Sequence, residues 1–161
     1  LALEPHDGSC EAREALRGGE LAIAERHGLL DGYTSSLYTG LIALAHATAL
    51  RAGDRRADAA LVRRMAARAR DKPPCGAGEA ERAMAYLEDH EGRPGRALGW
   101  LARAEREALA YDRPIAAAIA RYQRGLRLGG SEGDALRADA TAAMAAIGAD
   151  PRLCAEDPGT R

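Results

Sequence analysis

The densest group of titratable side chains in this sequence is Asp89-His90-Glu91. On a helix, three consecutive side chains point about 100° apart. A metal or acid–base site needs groups that converge on one point, so the triplet reads as a solvated helix end. His46 lies within an alanine-rich stretch and reads as a hydrogen-bonded structural histidine, while His6 and His27 fall at a terminus and a helix end, where an imidazole can meet free carbonyls. Cys10, Cys75 and Cys154 are odd in number and far apart, which is neither a disulfide framework nor a zinc spacing; reduced thiols of a cytoplasmic protein are expected. Cys75 follows Pro73-Pro74 in an expected loop with no base nearby. Phosphate chemistry fares no better: there is no Gly-x4-Gly-Lys-Ser/Thr loop, the one lysine, Lys72, precedes Pro73, and a chain without Phe has no kinase Asp-Phe-Gly. The sequence therefore predicts no catalytic site, no metal and no cofactor.

The elements that would position these side chains are helical. Ala and Leu dominate, Val62 is the single valine and Trp100 the single tryptophan. That composition starves strands of β-branched and aromatic residues and favours helices, so an all-α fold is expected. The formal net charge of −1 lacks the basic footprint of a nucleic-acid binder. No apolar run approaches the roughly 18 residues of a membrane span, and no basic-then-apolar leader is present. Because residue 1 is Leu, the 161 residues are expected to be part of a longer protein.

Periodicity and turn signals divide the chain into about seven helices. A first helix is expected over 10–26, although Gly18-Gly19 would cost roughly 2 kcal/mol relative to alanine. A second over 30–51 carries Leu30, Tyr33, Leu37, Leu41, Leu44 and Thr48. After Gly53, Asp54 is placed to cap a third helix bearing Ala57, Leu61, Met65 and Ala69, which Pro73-Pro74 closes. Ala80, Ala83, Met84 and Leu87 mark a fourth helix to Glu91. Pro94 opens a fifth with Ala97, Leu98, Leu101, Ala104 and Ala108. Ile115, Ile119, Tyr122 and Leu126 mark the face of a sixth, ended by Gly129-Gly130. Ser131 with Asp134 imitates a capping box for a seventh bearing Leu136, Ala140, Met144 and Ile147. Residues 149–161 are expected to be loop or disordered. Tyr33 and Tyr38, five residues apart around Leu37, are expected to pack, and Trp100 to sit half-buried between adjacent helix pairs.

The turn glycines Gly53, Gly92 and Gly130 are 39 and 38 residues apart, a period typical of stacked helical hairpins. Gly92, Ala97, Leu101 and Ala104 follow the small–alanine–large–alanine pattern of tetratricopeptide-type repeats. Around Gly53 and Gly130 the pattern is degenerate: Asp58 and Asp139 stand where alanine and a large apolar residue belong, and Glu81 and Glu88 interrupt the packing positions before Gly92. The spacing also exceeds the family's usual ~34 residues. The chain over 10–148 nevertheless resembles divergent repeats of this kind, most like those at the C-terminal ends of large bacterial signalling proteins such as Ser/Thr kinases and regulatory ATPases.

That resemblance implies a right-handed stack of hairpins acting as a cytoplasmic protein-interaction, scaffold or sensing module without catalysis of its own. It also implies a concave groove lined by the first helix of each pair. Carried over by position, the groove residues are Arg82, Tyr86 and His90 in the central unit, Arg124 and Arg127 in the last, and Gly40, Ala43 and Ala47 in the earlier one. Arg82, Tyr86 and His90 are four apart and share one helix edge. An arginine-bearing groove with an aromatic suits an acidic protein or peptide. Two other readings stand beside it: packing or dimerisation within a larger chain, and a small-molecule effector site.

Overall fold

The structure is a computed structural model that describes residues 35–54, 57–71 and 77–155. The expected first helix over 10–26, the positions Leu30 and Tyr33, and Cys10 and Cys75 lie outside the described residues. The fold is all-α, with seven helices and no strand among those residues. They are α1 (Ser35–Arg51), α2 (Ala59–Arg70), α3 (Ala77–His90), α4 (Pro94–Ala110), α5 (Pro114–Leu128), α6 (Gly130–Ala146) and α7 (Arg152–Ala155). Packing is serial: α1 meets α2 and α3, α2 meets α3, α3 meets α4 and the edge of α5, α4 meets α5, and α5 meets α6 and α7.

One turn chemistry recurs. At Gly53, Gly92, Asp112 and Gly148 the chain turns left-handed, and the next amide returns to the carbonyl five residues back: Asp54 to Ala49, Arg93 to Glu88, Arg113 to Ala108 and Ala149 to Met144. This Schellman closure satisfies carbonyls that a helix end would otherwise leave open. Asp112 makes it at φ 52°, a conformation that aspartate tolerates better than most residues. After Gly92 and Asp112 an identical Arg-Pro dipeptide restarts the chain as helix, with Pro94 and Pro114 in the first turn.

Two expected caps fall elsewhere. The carboxylate of Asp58, rather than Asp54, accepts the amide of Ala60 at 2.8 Å; Asp54 is consumed in closing α1, so helix can begin only after it. The N-cap of α6 is Gly129, without a side-chain hydrogen bond, because the helix starts one residue before Ser131. The segment expected as loop from 149 includes the short α7, whose Cys154 is buried against Ala118, Ala140 and Met144.

The main core joins α1, α2 and α3 through Ile42, Leu50, Leu61, Val62, Met65, Met84, Tyr86 and Leu87. Ala97, Leu101, Ala104 and Ala108 are buried on α4 as their spacing predicts. Trp100 is half-buried and packs against both the main core and the cluster of Ala85, Ala97 and Leu101. On α5 the buried positions are instead Ala117, Ala118, Ala120, Gln123 and Gly125. Ile115 and Leu126 are 43% and 40% exposed. The reason is close approach: a Cβ on Gly133 would lie 2.4 Å from the carbonyl oxygen of Gly125, so α5 meets α6 through Gly125 there, while Ile119 and Tyr122 are partly buried against Ala118, Ala140 and Met144.

Candidate functional site

The site is built around α3, whose acidic residues, with Glu91 just after it, are matched to arginines from neighbouring elements. The two Arg-Pro turns clamp it at both ends. Arg93 pairs with Glu88 and Glu91, and Arg113 grips Glu79 through both oxygens at 3.0 and 2.5 Å. Such fork-to-fork pairing fixes orientation as well as charge. Asp89 accepts Nε of Arg127 at 2.5 Å, and Glu91 also takes Arg63. Neighbours in the Asp89-His90-Glu91 triplet thus reach different arginines, while His90 is exposed.

Of the five residues expected to line a groove, three are brought together. Gln123 is fully buried on α5: its Oε1 accepts Nε of Arg82 at 3.2 Å, and its Nε2 donates to the hydroxyl of Tyr86 at 2.6 Å. Nη1 of Arg127 donates to the Gln123 carbonyl at 3.0 Å. The guanidiniums of Arg51 and Arg127 lie over the Tyr86 ring, 4.7 and 5.1 Å from its centroid, contacts its quadrupole favours. Tyr86 is completely buried, however, as are Ala43 and Ala47, and Gly40 is buried too. The expected open groove is therefore filled along α1 and at Tyr86, because small residues on α1 let α3 pack directly onto it. Arg124 turns to the other side of α5, where it and Arg121 each hold one oxygen of the buried Glu105 at 2.7 Å. His90 joins neither group.

What stays open is a cavity of about 370 Å³ between the first turns of α3 and α5. Glu79, Arg82, Arg113, Ile115, Ile119 and Ile147 line it, with Pro114 and Ala116. The isoleucines that spacing assigned to the core are its walls. Gln123 was missed in the sequence, where a glutamine beside Tyr122 carries no signal of its own. The repeated Arg-Pro turn was a signal, and it marks Arg93 and Arg113 as the clamps of α3.

Glu81 is a second unusual feature of α3. It is fully buried, and neither carboxylate oxygen has a hydrogen-bond partner among the described residues. Nε of Arg103 lies 3.3 Å away. Burial pushes the Glu81 carboxyl up to about 7, against the opposing pull of Arg103 and Arg70. Those two guanidiniums also lie over the Trp100 ring, at 5.8 and 5.0 Å.

Among the described residues there is no grouping of His, Cys, Asp and Glu placed to hold a metal ion, and no helix is long and apolar enough to cross a membrane. Comparison with protein-family models, with curated proteins and with solved structures finds no match.

Proposed function

We propose that this chain is a non-catalytic helical-hairpin module, of the divergent tetratricopeptide kind, that serves as an interaction and sensing element of a cytoplasmic bacterial signalling protein. The serial packing of α1 to α6 supports the hairpin reading, since each pair buries its apolar face against the next. The observation that carries the binding reading is Arg82. Arg82 lines the cavity with Ile115, Ile119 and Ile147, and its guanidinium, bonded to Gln123 through Nε, has no carboxylate partner among the described residues. The other arginines around it do: Arg113 holds Glu79, Arg124 holds Glu105 and Arg127 holds Asp89. A cation left for an outside group, set among aliphatic side chains, suits an acidic partner with an apolar anchor.

The test is capture of partners by the immobilised chain, comparing wild type with Arg82→Glu, Ile115→Glu and, as a control on the exposed side of α4, Arg106→Glu. A specific partner should be lost at least tenfold with the first two variants and retained with the third. Equal recovery by all four proteins would refute the reading.

A further inference from the structure

We propose that the cavity between α3 and α5 is a binding site for a small aliphatic monocarboxylate, its carboxylate on Arg82 and its tail between Ile115, Ile119 and Ile147. This deepens the sensing part of the reading above and rests on the same arginine.

The shape of the site argues for a short occupant. An extended peptide would need the groove to continue along α1 and past the middle of α3, but Gly40, Ala43, Ala47 and Tyr86 fill that course. What remains is a pocket of about 370 Å³, near the small end of the roughly 300–1,000 Å³ of small-molecule sites. A chain of about four to eight carbons is the appropriate size for it.

Charge sets the head group. Glu79 and Arg113 neutralise each other through their two-oxygen pairing, which leaves the charge of Arg82 uncompensated within the cavity. Its Nε is held by Gln123, so the guanidinium is oriented by a neutral, buried amide, and neither terminal nitrogen has a hydrogen-bond partner among the described residues. A planar guanidinium presenting two parallel donors matches a carboxylate. A second acidic group would find no further uncompensated cation among the lining residues, since Arg113 is engaged by Glu79, so a single negative charge is selected. Ile115, Ile119 and Ile147, two of them more than two-fifths exposed, gain burial when an alkyl chain enters.

The experiment is calorimetric titration of the full chain with hexanoate, with hexanamide and hexylamine as neutral and cationic counterparts, and with an N-acetylated, C-amidated Glu-Leu dipeptide. Hexanoate should bind with a Kd of about 1 mM or tighter, at least tenfold more tightly than hexanamide, and hexylamine should not bind. Arg82→Gln should weaken hexanoate at least tenfold. Because Arg82 also bonds Gln123, Ile115→Glu provides the second variant: its position is exposed, urea unfolding should be unchanged, and its carboxylate should compete for Arg82 and abolish binding. Equal affinity for hexanoate and hexanamide, no saturable hexanoate binding by wild type, or full binding by Ile115→Glu would each overturn the proposal. Dipeptide binding tenfold tighter than hexanoate would overturn it in favour of an acidic protein segment. Absent hexanoate binding together with Arg82-dependent partner capture would reject the small acid alone. Hexanoate binding with partner capture indifferent to Arg82 would reject the protein-docking role alone.

Discussion

The two ends of the described helical array hold together by different means. The α1–α3 end is a conventional core, with Leu61, Val62, Met65, Tyr86 and Leu87 interleaved and fully or nearly fully buried. The α5–α6 end has a smaller buried cluster of Ala118, Ala140, Met144 and Cys154, with Ile119, Tyr122 and Ala149 partly buried against it, and its helices meet backbone to backbone at Gly125 and Gly133. Buried apolar area stabilises the first end, since each large side chain removes much surface from water. Close approach adds to the second, through dispersion where Gly125 and Gly133 place no side chain between the helices. The first end should therefore fail when side chains are shortened, and the second when they are lengthened.

The largest expected effect is at the α1–α3 end. Leu87→Ala should lower stability by about 3–5 kcal/mol, against about 2 kcal/mol for Met144→Ala in the smaller cluster, as measured by urea unfolding. Equal losses would erase the distinction between the two cores. Next is the α5–α6 contact: Gly133→Ala places a methyl against a backbone oxygen that cannot move aside, and should destabilise by about 1–3 kcal/mol although alanine is the better helix former. An unchanged midpoint would mean that the helices are not held by that contact.

Glu81 tests how strictly the larger core excludes charge. Its folded pKa, about 7, lies above the ordinary value of an unfolded glutamate, so between about pH 4.5 and 7 the folded protein keeps a proton that the unfolded chain releases. Stability from this group is accordingly full below pH 4.5, falls as pH rises through that window and is lowest above 7. Glu81→Gln should remove the fall and make the protein about 1–2 kcal/mol more stable than wild type at pH 8, with little difference at pH 5. A variant less stable than wild type at pH 8 would show that the Arg103 pairing outweighs desolvation. The smallest effect is on the exposed side of α4. A Cβ at Gly99 meets nothing within 4 Å, so Gly99→Ala should stabilise by about 0.5–1 kcal/mol, opposite in sign to the same change at Gly133.

Much of the helical framework was legible because turn chemistry is local. Gly53 and Gly92 end helices where their permissive backbone suggested, and Pro94 begins one. The buried stripe of α4 was legible too, because its neighbours demand the ordinary amphipathic arrangement. The face of α5 was legible in part: Ile119 and Tyr122 pack against the α5–α6 cluster, while Ile115 and Leu126 are exposed. Ile115, Ile119, Tyr122 and Leu126 have the right spacing for a core, but spacing reports only that apolar residues share a side, and the packing distance to α6 decides whether large or small residues face inward. The candidate site was half legible. Arg82, Tyr86 and Arg127 do gather, yet through Gln123, which no pattern in the sequence distinguishes, and Arg124 belongs to Glu105 on the opposite side of α5.

Determined by the sequence alone were the all-α class, the positions of the breaks and the absence of familiar catalytic motifs, all consequences of local propensity and residue type. Only the tertiary structure decided that α3 is clamped at both ends by arginines from the turns that follow it. The same is true of the filled groove and of the cavity at Arg82. Those features depend on which side chains from distant positions occupy the same space, and a charge becomes available to a ligand only when its neighbours have found partners elsewhere.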